Sequence, residues 1–400
     1  MISTRLGRRS SGSSPSTRFA AAAAAGALLA TLAAGTASAS SLLLSHDRDE
    51  IRLLDVTSLP PVAHGPYLTG AFGGGDIKVV LTLRDESAAL VLTNTQLHRL
   101  ELLSPPAAPT IALSATPPFT PTGLIGAGLR DFSLLLGSGG QIAVVDNRTL
   151  AIRNTFTVPL KRTGGALSPD GRTLATIALT LNGEPALRVA AFDPHLGLTA
   201  EVQPPSGVMI DPPTSVFFSP DGRTLNYVHN LYFFDLTEGP AYNWCYIEPY
   251  RVTGPGLVAL DDFVSLVVDA CASHAYGRDG KQLFVLQFGN FMVDAELRLH
   301  RLTATAPATY SVGAPLAFRT QGSGWLTRSA GAKRLYFTDS GYLGKGSDVE
   351  LHVYDPLAET LSTYDIPDDF GIIQMVETGA GVFADGFESG GTGAWLAAFP

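Results

Sequence analysis

Short apolar runs that end in an aspartate recur along the chain and predict a repeated β-strand. Five runs follow this pattern, at residues 51–55 (IRLLD), 142–146 (IAVVD), 189–193 (VAAFD), 231–235 (LYFFD) and 351–355 (LHVYD). Two degenerate copies fit at 97–101 (LHRLE) and 297–301 (LRLHR). Apolar runs of this length between turn residues are typical of strands. The last positions of the seven copies are 42 to 54 residues apart, except for one interval of 66 between 235 and 301.

A second repeated feature predicts a tight hairpin between two strands. Residues 166–174 (ALSPDGRTL) and 217–225 (FFSPDGRTL) match almost letter for letter, and looser copies lie at 276–281 (YGRDGK) and 328–333 (RSAGAK). Proline presets φ for a turn, the aspartate carboxylate accepts backbone N–H groups, and glycine adopts a positive φ. Apolar segments flank each copy, so each hairpin should join two strands.

Together the two features divide the chain into seven units of about 50 residues, each long enough for four short strands and their turns. In these motifs the chain resembles the Ser-Pro-Asp-Gly β-propellers, the WD-like and lactonase-like repeat families of bacterial secreted proteins. Only two units carry the full motif, and the Gly-His and Trp-Asp signatures of true WD repeats are absent. A two-sheet sandwich, the alternative for this composition, does not explain the period.

The resemblance implies an all-β fold, a seven-bladed β-propeller of four-stranded antiparallel blades. An open array of blades would leave unpaired strand edges, so the chain ends are expected to close the ring. Residues 41–45 (SLLLS) are predicted to form a second strand without its inner strand, and residues 372–378 (IIQMVET) are the predicted inner strand. The N- and C-terminal strands should therefore share one blade.

Residues 1–39 are typical of a secretory signal peptide. The segment has four arginines and no acidic residue, an apolar stretch at 19–34, and the small-x-small sequence Ala-Ser-Ala at 37–39. This arrangement predicts cleavage after residue 39. A membrane anchor is the alternative, but the apolar stretch is short for a hydrocarbon core of ~30 Å. The pair Arg8-Arg9 leaves twin-arginine export open beside the general route, and either route predicts a periplasmic or extracellular protein without a membrane span.

Charge and composition limit the class of partner. The chain has 27 Lys+Arg against 36 Asp+Glu, a net charge of −9, and loss of the four arginines in 1–39 would make it −13. An acidic chain disfavours a phosphate-backbone partner, so no nucleic acid is expected. With 45% hydrophobic residues, 42 glycines and 27 prolines, the chain is too apolar for disorder and too rich in turn residues for a helical bundle.

The longest interval between repeats, residues 237–275, contains both cysteines, Cys245 and Cys271. Two thiols in an exported chain favour a disulfide, with two buried free thiols as the alternative. They do not suggest a metal site, because His274 is the one nitrogen ligand near them.

The predicted organisation is a signal peptide at 1–39, a propeller domain at 40–384 with an insertion at about 237–275, and a glycine-rich tail at 385–400. In residues 385–390 (DGFESG) and 394–395 (AW), the tail resembles one carried by many unrelated bacterial exported proteins. An exposed flexible tail that packs one aromatic residue is the alternative.

No catalytic motif stands out in the sequence. Gly-x-Ser-x-Gly, Walker, His-Glu-x-x-His and Cys-x-x-Cys patterns are absent, and we expect neither a metal nor a cofactor. In a propeller, the loops between second and third strands share a face with the first residues of the inner strands. We call this the loop face. Its candidate binding residues are Thr163, Thr214, His229, His274 and Trp325.

Two functional classes remain open from the sequence. The first is a non-catalytic exported propeller, expected to be a monomer, that binds a protein, glycan or small ligand on its loop face. The absence of a catalytic constellation favours this class over an enzyme. The alternative is a lactonase-like or related hydrolase with its site at the central channel. That activity would depend on His274, Arg278, Asp279 and Glu184, which form a weak set.

Overall fold

The structure is a computed structural model of the chain. It describes residues 42–47, 49–73, 75–83, 88–102, 107–126, 130–179, 185–202, 213–233, 242–260, 264–266, 271–277, 280–287, 297–318, 322–323, 326–328, 334–341, 349–366 and 376–378. All regular elements in these ranges are β-strands. A search of the same ranges finds no helix with the length and hydrophobicity needed to cross a membrane. The predicted signal peptide at 1–39 and the tail at 385–400 lie outside the described residues.

Six antiparallel blades are built from strands that follow one another along the chain. Blade 1 contains β4 (Ile77–Thr82), β5 (Ala88–Thr93), β6 (Leu97–Glu101) and β7 (Thr110–Ala115). Blade 2 contains β8 (Pro121–Gly126), β9 (Phe132–Gly137), β10 (Gln141–Asp146) and β11 (Ile152–Thr157). Blade 3 contains β12 (Arg162–Leu167), β13 (Thr173–Leu179), β14 (Pro185–Asp193) and β15 (Gly197–Val202).

The other three blades each have one strand divided in two. Blade 4 contains β16 (Pro213–Phe218), β17 (Thr224–Phe233), β18 (Tyr242–Gly254), and the outer segments β19 (Leu257–Leu260) and β20 (Val264–Leu266). Blade 5 contains β21 (Cys271–Tyr276), β22 (Gln282–Gln287), β23 (Leu297–Ala306), and the outer segments β24 (Thr309–Val312) and β25 (Leu316–Phe318). Blade 6 contains the inner segments β26 (Gly322–Ser323) and β27 (Leu326–Arg328), then β28 (Leu335–Gly341), β29 (Val349–Asp355) and β30 (Thr360–Ile366).

One further sheet, the composite sheet, combines both ends of the chain. Its strands are β31 (Val376–Thr378), β1 (Leu42–Asp47), β2 (Glu50–Asp55) and β3 (Val62–Tyr67). Leu42 pairs with Thr378 and Leu44 with Val376, as the predicted sharing of terminal strands requires. The all-β propeller of four-stranded antiparallel blades is therefore confirmed, but the structure has six blades of consecutive strands, not the seven that were predicted. The physical reason is that this last sheet takes its inner strand from more than three hundred residues away.

Each large apolar cluster lies between two neighbouring sheets. Leu90 of blade 1 packs with Leu135 of blade 2, and equivalent clusters follow between each later pair of blades. In the composite sheet, Leu53 belongs to a cluster with blade 1, whereas the next residue, Leu54, belongs to a cluster with blade 6. The inner segment β31 also contacts both β27 and β4. The sheets therefore surround a central axis without a gap.

This packing explains why the second and third strands are continuous apolar runs. All six residues of β5 and of β9 are buried, because both faces of these strands contact a neighbouring sheet. Outer strands such as β11 alternate between exposed and half-buried residues. A short, fully apolar run is the expected sequence of a strand that is buried on both faces.

Both Ser-Pro-Asp-Gly segments form tight hairpins between a first and a second strand. Gly171 and Gly222 adopt φ of +73° and +69°, and each donates its N–H to the carbonyl of the serine three residues earlier. The hydroxyl of Ser219 donates to Asp221 Oδ1 at 2.6 Å, and Asp221 also accepts the N–H of Arg223 at 3.0 Å. The residues of the motif therefore have a structural role in the turn.

The threonine that follows this motif joins neighbouring blades. Thr173 Oγ1 accepts the N–H of Gly256 from blade 4 at 3.0 Å, and Thr224 Oγ1 accepts the N–H of Ala308 from blade 5 at 3.0 Å. Both donors lie in turns between third and outer strands and adopt positive φ. A Cβ on Gly256 would lie 2.3 Å from the backbone nitrogen of Ala191, so the close approach requires glycine there.

The aspartates that end the third strands cap the following turns. Asp193 Oδ1 accepts the N–H groups of His195 and Leu196 at 2.7 and 3.0 Å. These two backbone hydrogen bonds hold the pKa of Asp193 below its usual value. Asp146 and Asp355 accept the N–H groups two and three residues ahead in the same way. The repeated carboxylates therefore have a structural role in the turns.

One of the seven predicted copies of the repeated strand is wrongly placed. The other six copies lie on the third strands of their sheets, but residues 231–233 continue β17, which is the second strand of blade 4. The third strand is β18, and it occupies part of the interval that the sequence indicated as an insertion. The error arose because β17 extends as an apolar run beyond the length of the other second strands.

The predicted disulfide is confirmed, and it joins two blades. Cys245 lies on β18 of blade 4 and Cys271 on β21 of blade 5, with their Cα atoms 5.4 Å apart. Both cysteines are buried in the cluster between these blades. The bond therefore adds a covalent link to an interface that is already apolar.

We expect Thr224→Val to lower the free energy of unfolding by about 1–3 kcal/mol, because the buried N–H of Ala308 would lose its acceptor. Thr305→Val is the control: Thr305 is exposed, and its hydroxyl donates only to Thr309 in the same turn. That change should stay within about 0.5 kcal/mol. Urea denaturation of both variants measures the difference, and equal losses would contradict the proposed link between blades.

Candidate functional site

One residue bulges from the inner strand of five consecutive blades. In blade 3, Arg162 pairs with Ala178 and Gly164 with Ile177, so Thr163 is an extra residue in the strand. The same shift occurs in the inner strands of blades 1, 2, 4 and 5, at Lys78, Thr122, Thr214 and Ala272. Bulges re-aim side chains and are frequent at rims and next to active sites. The loop face therefore carries a repeated irregularity at the beginning of these strands.

Hydrogen bonds join the bulges of neighbouring blades. Lys78 Nζ donates to the carbonyl of Pro121 at 3.3 Å, and Thr122 Oγ1 donates to the carbonyl of Arg162 at 2.9 Å. Each acceptor is the residue immediately before the next bulge. Lys78 and Thr163 are exposed and Thr122 is half-buried, so this rim presents an ammonium and two hydroxyl groups.

The buried side chain of Arg162 supports the backbone of this rim. Its side chain is 1% exposed and donates to Glu201 Oε1 at 2.9 Å. Burial, which is the largest influence, lowers the pKa of Arg162, and the carboxylate of Glu201 opposes that effect. The ion pair holds the backbone of Arg162, whose carbonyl receives the hydrogen bond from Thr122.

His274 is packed between blades and is unsuited to act as a base. Its ring stacks on Phe217 with centroids 3.4 Å apart and planes 9° apart. Ser215 Oγ lies 3.2 Å from its Nδ1, which makes a hydrogen bond across the interface of blades 4 and 5. Burial lowers the pKa of His274 to about 3. The imidazole is therefore neutral and only weakly basic at neutral pH.

His229 lies inside blade 4 in an aromatic stack. Its ring is 1% exposed and sits between Tyr227 and Tyr246, with ring centroids 5.3 and 5.4 Å away. Its Nε2 lies 3.2 Å from Glu248 Oε1, and the hydroxyl of Tyr250 donates to the other carboxylate oxygen at 2.8 Å. Burial, followed by the charge of Glu248, raises the pKa of Tyr227. This buried cluster supports the blade and offers no accessible reacting group.

The predicted site residues thus fall into three groups. Thr163 and Thr214 both lie at bulges on the loop face, whereas His229 and His274 are held within the blades by packing and hydrogen bonds. Trp325 lies outside the described residues, as do the hydrolase candidates Glu184, Arg278 and Asp279. Within the described ranges, no group of three or more His, Cys, Asp or Glu side chains could hold a metal ion.

Sequence reasoning missed Lys78 and Thr122 on the same rim. A usable signal existed, because Lys78, Thr163 and Thr214 each precede by five residues the position that opens the hairpin after the inner strand. Those opening positions are Leu83, Ser168 and Ser219, which donate N–H groups to the residues that close the hairpins. The degenerate sequence of blade 1 concealed the repeat there.

Comparisons with known proteins show the fold. The sequence matches no family profile and no curated protein sequence. Among solved structures, a protein of unknown function from Desulfotomaculum acetoxidans is 12% identical with a TM-score of 0.59, over 84% of this chain and 98% of that one. A candidate 6-phosphogluconolactonase from Bacteroides fragilis is 11% identical with a TM-score of 0.59, over 86% and 99%. The β-propeller domain of Cps50 from Myceliophteria thermophila is 12% identical with a TM-score of 0.50, over 73% and 87%.

These structures and the blade geometry define the chain as a β-propeller. Structural similarity at sequence identities of 11–12% shows only a shared fold, so the activities of these proteins do not transfer to this chain.

The buried histidines should make the fold sensitive to acid. Burial lowers the pKa of His274 to about 3, and burial followed by the charge of Arg298 lowers that of His300 to about 4. The unfolded chain, with a histidine pKa near ~6.5, takes up protons first as the pH falls. Stability is therefore full above pH ~6.5 and is lost as the pH falls below that value, down to pH ~4 for His300 and to pH ~3 for His274, by up to about 1.4 kcal/mol per pH unit per histidine.

Urea denaturation at several pH values measures this slope. The variant His300→Gln should reduce it, whereas Thr305→Val, an exposed change that involves no titratable group, should leave it unchanged. An identical slope in the wild type and His300→Gln would contradict the assignment of His300 as a buried neutral group.

Proposed function

We propose that this chain is an exported, non-catalytic β-propeller that binds a ligand on its loop face, at the mouth of the central channel. The observation that carries the proposal is the bulge repeated at the beginning of five inner strands. Regular blades do not require these bulges, and together they place Lys78, Thr122, Thr163 and Thr214 on one rim. The ammonium of Lys78 donates one of its three N–H groups to Pro121 and keeps two for a ligand. The hydroxyls of Thr122 and Thr163 donate their protons to backbone carbonyls, so their oxygens can accept a hydrogen bond, and the rim suits a polar ligand.

The chemistry of the described residues favours binding over catalysis. A general base needs a pKa near the working pH and access to the substrate. His274 has a pKa of about 3, and His229 is enclosed by two tyrosine rings and Glu248. The lactonase-like alternative is supported only by similarity of fold.

Export is supported by two independent features. The basic and apolar segment at 1–39 is typical of a signal peptide. The disulfide between Cys245 and Cys271 fits an oxidising compartment, since such bonds are rare where thiols are kept reduced.

The test begins with a thermal-shift screen of the purified protein against neutral oligosaccharides, sugar phosphates and peptides. Compounds that stabilise it are then titrated by calorimetry against Thr163→Trp, which should block the rim. A matched control, Thr110→Trp, places the same ring at an exposed position on an outer strand. We expect at least about a tenfold loss of affinity for Thr163→Trp only, which corresponds to about 1.4 kcal/mol.

Two outcomes would contradict the proposal. Equal affinities in both tryptophan variants would place the ligand away from the loop face. Hydrolysis of 6-phosphogluconolactone that disappears in His274→Ala, with the fold retained, would favour the lactonase-like enzyme instead.

A further inference from the structure

The second and third strands of blade 4 extend beyond the sheet as a two-stranded ribbon. β17 has ten residues and β18 thirteen, whereas the second strands of blades 1, 2 and 5 have six. The inner strand β16 begins opposite His229, and β17 continues from there to Phe233 in register with β18. We call residues 230–233 and 242–244 the ribbon. Because it continues past the beginning of the inner strand, it stands on the loop face.

The ribbon and the three residues at its base, His229, Cys245 and Tyr246, are rich in aromatic residues and contain no Lys, Arg, Asp or Glu. Over 229–233 and 242–246 the sequence reads HNLYF and YNWCY, so five of ten positions are Phe, Tyr or Trp, against 9% in the whole chain. The same positions include two asparagines and no Lys, Arg, Asp or Glu. A ribbon of this composition offers no charged group to a ligand.

The backbone register places most of these aromatic residues on one face. Phe233 pairs with Tyr242 and Leu231 with Trp244, and the next pair on that face is His229 with Tyr246. The last pair is already a stack, since the rings of His229 and Tyr246 lie 5.4 Å apart with planes 16° apart. Tyr227, further along the same face, belongs to the cluster shared with blade 3. The aromatic face therefore belongs to the side of blade 4 next to Thr163.

We propose that the ribbon is the binding platform for a neutral glycan, which names the ligand class of the function proposed above and rests on it. A sugar ring has an apolar C–H face and an equatorial rim of hydroxyl groups. Aromatic side chains can pack against the apolar face of the sugar, and asparagine amides and threonine hydroxyls can form hydrogen bonds with its hydroxyl groups. The absence of charge on the ribbon favours a neutral chain over sugar phosphates or uronic acids. A peptide that pairs with the edge of β17 is the competing occupant.

The experiment is affinity electrophoresis of the purified full chain in native gels. The gels contain hydroxyethylcellulose, xylan, glucomannan, laminarin or amylopectin, with polygalacturonate as the acidic comparison. We expect at least one neutral polymer to retard the protein and polygalacturonate to leave its mobility unchanged. Retardation only by polygalacturonate, or by no polymer, would overturn the proposal of a neutral glycan.

Three variants locate the platform on one face of the ribbon. Trp244→Ala should weaken the retardation at least about tenfold, whereas Trp244→Phe should retain most of it because an aromatic ring remains. Tyr232→Ala is the matched control, since Tyr232 occupies the opposite face of the same ribbon. Equal effects of Trp244→Ala and Tyr232→Ala would overturn the assignment. Unchanged circular dichroism and urea midpoints show that each variant is folded.

The two proposals fail separately. If no polymer binds but Thr163→Trp abolishes the binding of a peptide or sugar phosphate found in the thermal-shift screen, the loop-face function stands and the glycan assignment falls. If Thr163→Trp affects no ligand and no polymer binds, both fall.

Discussion

The packing of each sheet against two neighbours is the constraint on which the rest of this structure depends. Adjacent residues of one strand, Leu53 and Leu54, contribute to different clusters on opposite sides of the composite sheet. A strand in that position cannot expose either face, so most residues of the described middle strands are apolar and buried. Chemistry is therefore confined to the two ends of the strands and to the outer edges. That restriction explains why nearly all the recognisable motifs lie at the ends of the strands.

The polar residues that do lie between blades mainly position the blades. Thr224 accepts a backbone N–H from blade 5, and Asn226 forms a closed set of hydrogen bonds with Tyr276 and Tyr310 across the same interface. Buried polar groups that satisfy one another specify one alignment of two surfaces, which apolar contacts alone leave free to slide. The disulfide fixes the same pair of blades. The interface of blades 4 and 5 is thus held in register by a hydrogen bond to the backbone, by hydrogen bonds between side chains and by the disulfide.

The sequence predicted those parts of the fold that depend on local chemistry. Gly171 and Gly222 occupy positive-φ positions in hairpins, and Asp146 caps a turn, because each acts within a few residues of itself. The bulges at Lys78 and Thr122 were missed because a bulge is set by the register of two strands. No residue type at the bulge marks it in the sequence. Residues 231–235 were misassigned for a related reason. An apolar run ending in aspartate does not show whether a strand is the second or the third of its blade. His229 and His274 were recognised as candidate site residues from the sequence. Their packing against Tyr227 and Phe217 depends on tertiary contacts, which the sequence alone does not show.

The composite sheet has a consequence for the order in which this chain can fold. Leu42 and Thr378 are cross-strand partners, so the first described strand has no inner neighbour until a segment more than three hundred residues away pairs with it. The six blades of consecutive strands need only local pairing, which forms quickly because little chain entropy is lost in closing short loops. A chain in which only these local pairs have formed therefore has a first sheet with an open edge. The final pairing of three residues near the other end covers that edge and completes the native ring.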